Sequence, residues 1–314
     1  MRSDHHITRP RRLSTRIGPA AAWLAAGIVA AVCFFIVGYL IYEGIQYVDW
    51  TFLTTDPEPS LVEEAGGGIR IPIVGTTVLV LLSTLLTVPI ALGAAVYLAE
   101  YMDERKPLTK SIRLGLEVLA GVPSVVFGMF GVAMFSHAAF TFMSSAGAEG
   151  ADAAFGRSFF VAATVMAIHV LPFVIKVMEE AVRSVPASYR HGAAALGVTK
   201  WRAIRRVILP AASPGLMTAV ILGMGLAAGD TAIVWLTLGG TMSMAVDNWW
   251  APEHILTVIR GTGSTLTTFT YFSSPAGEGN APGLAYGAAM VLMLLVVTLN
   301  AAATLIGRFA KKTR

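Results

Sequence analysis

Long apolar runs separated by short polar segments set the pattern of this chain. The runs fall near residues 20–42, 71–98, 114–142, 158–177, 214–238 and 284–306. Each is long enough to cross a bilayer, which takes roughly 20 apolar residues as a helix. The pattern predicts an all-α, polytopic membrane protein with six transmembrane helices. Several runs carry helix breakers. Pro89 sits inside the second, where a bend is expected. Gly121, Val122, Pro123 and Ser124 interrupt the third, and Pro172 lies in the fourth. A proline removes a backbone donor, so the third run is expected to be broken or kinked.

Charge gives these spans an orientation. Lys and Arg number 5, 4, 7 and 4 in segments 1–19, 100–113, 176–206 and 308–314. Segments 43–70, 143–157 and 239–283 hold one each: Arg70, Arg157 and Arg260. Basic loops stay inside, so both termini are expected in the cytoplasm. The first run has 23 residues, too long for the core of a cleaved signal, so an uncleaved first helix is expected. The expected division is a basic tail 1–19, a first helix with its outer loop 20–69, a five-helix core 70–310 and a basic tail 311–314.

Composition agrees and adds exclusions. The chain is 55% hydrophobic and 13% charged, against about 25% charge in soluble domains. Its net charge of +4 lies in the topological loops, so nucleic acid is not an implied partner. Cys33 is the single cysteine and cannot form an internal disulfide. No internal repeat is evident, which gives an inverted-repeat carrier no support.

Candidate chemistry is sparse. His5 and His6 read as a solvated pair, and no metal site is expected. Gly66, Gly67 and Gly68 lack the rest of a phosphate-loop pattern and read as a flexible lead into the second span. His169 and Asp230 are ionisable groups inside spans, where such groups are expensive. Each has two readings: a packed or backbone-bonded residue, or a member of a translocation pathway. Pro123, Ser124 and Thr231 join them as pathway candidates. His169 and Asp230 fall on different spans without a motif around either, so a catalytic site is not expected. Asn248, Trp249 and Trp250 suit a membrane interface. Residues 262–270 are rich in hydroxyls, which either contact a ligand or belong to a plain lid.

The stretch 179–214 is the longest basic segment between apolar runs. Pro186 suits the first position of a helix, and 187–196 are mostly helix formers. Gly197 suits the left-handed residue that ends it. Thr199 is placed to cap a second short helix that stops or bends at Pro210. Ala193, Ala194 and Ala195 offer a small-residue surface for close approach. Physics alone leaves two readings, a hairpin that fixes topology or a rigid knob for a partner's groove.

The spacing resembles the EAA loop of permeases in ATP-binding-cassette importers: EAA, three residues, Gly, nine residues, I-x-LP. His191, Gly192 and Ala193 occupy the EAA position, Gly197 is the glycine, Val207 takes the Ile position, and Leu209 and Pro210 are the LP. His191 stands where the pattern has glutamate. Other stretches resemble the A-type permease of the high-affinity phosphate importer. These are Gly66–Gly68, residues 96–101, residues 122–128, Leu196 through Lys200 and Trp201, and Gly229–Thr231. That family commonly has an arginine four residues before the mid-span acid; here the position is Leu226.

The resemblance, which spans about 66–310, implies the type I importer permease (MetI-like) fold in a bacterial or archaeal cytoplasmic (inner) membrane. It implies transport of inorganic phosphate, with the loop 179–210 docked on a cytoplasmic ATPase. His191, Gly192, Ala193, Leu196, Gly197, Lys200, Trp201, Val207, Leu209 and Pro210 are the coupling residues it implies. The implied partners are a second related permease, two copies of the ATPase and an extracytoplasmic phosphate-binding protein. ATP and Mg would bind the ATPase, and no cofactor is expected on this chain. A different oxyanion or small solute, or a secondary carrier or channel, is the alternative.

Overall fold

The computed structural model describes residues 14–57, 67–103, 105–144, 156–241, 244, 249–277 and 281–312. His5, His6, Gly66 and Asn248 lie outside them. Thirteen α-helices occur among the described residues: α1 (Ser14–Gly44), α2 (Trp50–Thr54), α3 (Arg70–Val96), α4 (Pro107–Ala120), α5 (Ser124–Phe135), α6 (Phe159–Arg183), α7 (Ala187–Ala195), α8 (Lys200–Ala203), α9 (Leu209–Gly229), α10 (Ala232–Leu238), α11 (Ile255–Arg260), α12 (Leu266–Ser273) and α13 (Pro282–Lys312). Two π turns extend the long helices at the basic end: Tyr97–Tyr101 after α3 and Ile204–Ile208 before α9.

The bundle is built around α6. Over its apolar core 56% of the helix is buried within the molecule, whereas α1 buries none. Phe159, Val161, Ala162, Met166, Val174 and Met178 project from α6 into the main core with Leu79, Ala91, Ala219 and Ile233. Small residues let neighbours approach. A Cβ on Gly223 of α9 would meet Val174 at 2.8 Å, and one on Gly131 of α5 would meet Val165 at 2.5 Å. Such close backbones are how helices associate where lipid supplies no hydrophobic drive. α1 leans on α13, with Tyr39 edge-on to Tyr286 at 5.9 Å.

α6 also serves as a ruler across the membrane. Its N-cap Ser158 donates to Met143 O and to Thr237 O. Halfway along, His169 meets Phe127 of α5. Near its end, Glu179 pairs with Arg113 of α4. At 1.5 Å per residue these levels span on the order of 30 Å, the thickness of a hydrocarbon core. α4 and α5 therefore cover the whole height between them, although they meet at 97°. Counted as one bent crossing, they bring the spans to six.

One expectation is sharpened and another needs correction. The third run is broken, as expected, into two helices at nearly a right angle. The cause is the sequence Gly121–Val122–Pro123: Gly121 caps α4, and Pro123 is extended at φ −59°, ψ 142°. The fifth span does not run unbroken over 214–238. Helix begins at Lys200, continues for 30 residues to Gly229, breaks at Asp230 and resumes as α10. Pro210 does not stop it. The wider π turn just before the proline absorbs the missing N–H, and Leu209 N–H bonds Ile204 O instead.

Candidate functional site

At the basic end, α7 follows Pro186, which is its N-cap rather than its first residue. Its C-terminus closes as the sequence predicts. Gly197 has φ +70°, Gly197 N–H bonds Ala194 O at 3.0 Å, and Val198 N–H bonds Ala193 O at 3.1 Å. These are the paired bonds of a Schellman turn. Thr199 precedes α8, but its hydroxyl makes no cap bond; its carbonyl accepts Ala203 N–H at 2.9 Å. Ala193 faces inward, leaving Ala194 and Ala195 on the surface.

The turn projects apolar side chains into solvent. Leu196 is 83% exposed and Trp201 60%, with Tyr189 also exposed. His191, Gly192 and Lys200 are exposed as well, while Val207, Leu209 and Pro210 are half-buried. Ile204, Ile208 and Leu209 root the segment in a cluster with Val96, Val182 and Val185.

Polar anchors hold this knob, and of them only Lys200 is among the coupling residues that the resemblance implies. Glu100, on the π turn after α3, accepts two bonds from Arg190 at 2.9 and 2.7 Å. Arg190 also donates to Val182 O and Val185 O. Lys200 donates to Glu100 O, and its ammonium lies 4.6 Å from the centre of the Tyr101 ring. Beside this, Glu179 is buried and pairs with Arg113 and, at 2.9 Å, with Arg183. The Glu179–Arg183 pair had a readable signal, an acid and a base four apart on a helix. The Glu100–Arg190 pair had none.

Mid-membrane, the fold brings together two residues that the sequence left apart. Asp230 sits in the break between α9 and α10, and its Oδ1 accepts Ile233 N–H at 2.8 Å. Its Oδ2 lies 3.9 Å from His169 Nε2 on α6. The Phe127 ring stands edge-on to the imidazole at 4.9 Å. His169 Nδ1 is buried and has no hydrogen-bond partner. Thr231 caps α10 without a side-chain bond, so backbone rather than Thr231 holds Asp230. Pro123 and Ser124 open α5 one turn before Phe127.

The hydroxyl-rich outer segment turns inward. Thr265, Thr267 and Thr268 are buried; Thr265 and Thr268 form a reciprocal cap on α12, and Thr76 Oγ1 accepts Leu266 N–H at 2.9 Å. The Leu266 N–H bond to Thr76 is what ties α12 to α3. Gly68, expected to be flexible, is instead tightly packed, since a Cβ there would meet Thr55 O at 2.2 Å. Trp249 and Trp250 pack edge-on at 5.5 Å.

A six-crossing helical bundle with a glycine-closed, apolar-tipped loop between α6 and α9 has the make-up of the membrane subunit of an ATP-binding-cassette importer. Comparison with known proteins agrees. Residues 88–312 match the family described as "Binding-protein-dependent transport system inner membrane component". The chain is 28% identical over 305 residues to the probable ABC transporter permease protein YqgI of Bacillus subtilis, covering 96% of this chain and 98% of that one. It is 31% identical over 254 residues to the phosphate transport system permease protein PstA 1 of Mycobacterium tuberculosis, covering 81% and 75%. Among solved structures, a bacterial ABC transporter involved in the import of the acidic polysaccharide alginate superposes with TM-score 0.60 at 16% identity, covering 95% and 98%. The protein belongs to the binding-protein-dependent transport system inner membrane component family.

Proposed function

We propose that this chain is the A-type transmembrane subunit of an ATP-driven importer of inorganic phosphate. The loop formed by α7, the Gly197 turn and α8 docks in a groove of a cytoplasmic ATPase, which binds ATP and Mg. Closure of two ATPase copies moves this chain and a related permease between inward- and outward-facing states. Phosphate arrives from an extracytoplasmic binding protein, and both termini lie in the cytoplasm. The 31% identity to a phosphate permease over 254 residues carries the substrate assignment. The exposed Leu196 and Trp201 on a rigid, anchored turn support the coupling role.

A second reading, import of a different oxyanion, has one observation in its favour. The position of the family arginine is Leu226, 48% exposed on α9. The test is ATPase activity of the reconstituted complex with its binding protein. Stimulation by phosphate-loaded binding protein is expected. Stimulation by a sulfate-loaded protein, with none by phosphate, would select the second reading.

A further inference from the structure

The loop between α6 and α9 carries charge of one sign. Residues 184–206 hold five Lys and Arg and no Asp or Glu. Two of the five are spent inside the fold: Arg190 pairs with Glu100, and Lys200 donates to Glu100 O beside the Tyr101 ring. The other three, Arg202, Arg205 and Arg206, are exposed and meet no carboxylate among the described residues. At positions three and four apart they share one helix face, to which Trp201 also belongs. The opposite face, Ala203, Ile204 and Ile208, is buried. Exposed carboxylates toward this end lie outside the loop. Asp103 accepts Arg105 N–H through Oδ1, and Glu117 and Glu180 are on α4 and α6.

The exposed face stands clear of the bilayer. Gly215 of α9 packs on α6, where a Cβ would lie 2.5 Å from Ala181 Cβ. Ala181 falls between Glu179 and Arg183, whose ion pair marks the edge of the hydrocarbon. From Gly215 the helix runs unbroken back to Lys200. Along its axis that stretch rises on the order of 20 Å. The headgroup layer is only roughly 5–8 Å deep. A helix that binds lipid turns its apolar side chains toward the hydrocarbon. Here Arg205 and Arg206 lie nearer the span than Trp201 does, so the order is the reverse.

What covers this face is therefore a protein, and its chemistry follows from the loop. Leu196 and Trp201 are large, apolar and solvent-facing. On α7, Ala194 and Ala195 are small and exposed, and the position of a Cβ on Gly192 has open space around it. Bulky anchors next to small residues fit a shaped, solid surface. Three arginines without a carboxylate of their own need negative charge opposite them when water is displaced.

We propose that the loop docks on an apolar groove with an acidic rim. Leu196 and Trp201 enter the groove, and Arg202, Arg205 and Arg206 meet carboxylates at its edge. The inference rests on the importer reading above and names the chemistry of the ATPase groove. His191, exposed where the EAA pattern has glutamate, fits the same rim because it brings no negative charge.

The test measures binding of the ATPase subunit to the reconstituted pair of permeases at about 0.05 and 0.5 M NaCl. Parent affinity should fall about tenfold at the higher salt. The combined variant Arg202→Gln, Arg205→Gln and Arg206→Gln should bind about tenfold more weakly at low salt and lose little more at high salt. Thermal stability of the isolated subunit should hold, because these side chains are exposed. Lys176, Arg183, Arg190 and Lys200 remain to orient the segment. His191→Glu leaves every Lys and Arg in place and should weaken binding about threefold. The same losses should appear in vesicles of phosphatidylcholine alone. Losses confined to vesicles containing phosphatidylglycerol would overturn the proposal in favour of lipid headgroups. Tighter binding by His191→Glu, or parent binding that ignores salt, would overturn the acidic rim while leaving the importer assignment intact. A parent pair that binds no ATPase at either salt would overturn that assignment and this proposal together.

Discussion

Glu100 and Arg190 are ninety residues apart in the chain and joined by two hydrogen bonds in the fold. One ends the second crossing and the other lies in α7, so the loop is tied to α3 as well as to its own flanking spans. Glu100 is only 7% exposed in its side chain. Glu100→Gln should destabilise the basic end by about 2–3 kcal/mol, because a largely buried guanidinium loses its carboxylate. Faster proteolysis within 184–200, with the spans still protected, is the outcome to look for.

Gly197 separates conformation from contact. Open space surrounds the position a Cβ would take, so any penalty comes from φ +70° alone. Gly197→Val should cost about 1–3 kcal/mol locally and abolish ATPase stimulation with all spans inserted. Gly197→Asn tolerates the left-handed region and should keep most of the stimulation. Equal loss in both variants would point to a steric role and count against the turn geometry.

The exposed apolar tip makes the opposite prediction. Leu196→Ala and Trp201→Ala remove side chains that touch mainly solvent. Thermal stability of the isolated subunit should change by no more than about 0.5 kcal/mol. Affinity for the ATPase subunit should fall by about 2 kcal/mol for Trp201, as for a buried aromatic anchor. A stability loss larger than the binding loss would mean the tip packs within the subunit.

Gly75 tests the inward-turned outer segment. A Cβ there would lie 2.0 Å from Ser264 O. Gly75→Ala should destabilise by about 1–3 kcal/mol through overpacking and loosen α12 from α3. Hydrogen exchange at 264–269 should rise first.

The six apolar runs were legible because bilayer length and loop charge act on long stretches, where single-residue errors average out. The Gly197 turn was legible because only one local conformation suits that glycine. The Asp230 break was not, since Gly229 and Thr231 carry no stop signal strong enough to end a helix. What ends it is a carboxylate that prefers to cap the next helix. The inward packing of Thr265, Thr267 and Thr268 was not legible, because hydroxyls look alike whether they face a ligand or a neighbouring helix. Long-range pairs such as His169 with Asp230 leave no trace in spacing, because the helices between them set their distance.

α5 and α10 are half-length helices that pack together: a Cβ on Gly128 would meet Leu236 at 2.7 Å and Ala232 O at 3.3 Å. Both begin at the level of His169 and run away from the basic end. Their first turns have no N–H to O=C ladder joining them to the helices that precede them. A tilt of this pair therefore breaks no backbone hydrogen bond in the long spans. Its resistance is side-chain contact and the backbone bond from Ser158 N–H to Thr237 O, so the half of the bundle away from the basic end has a joint that can move while every crossing helix stays wound.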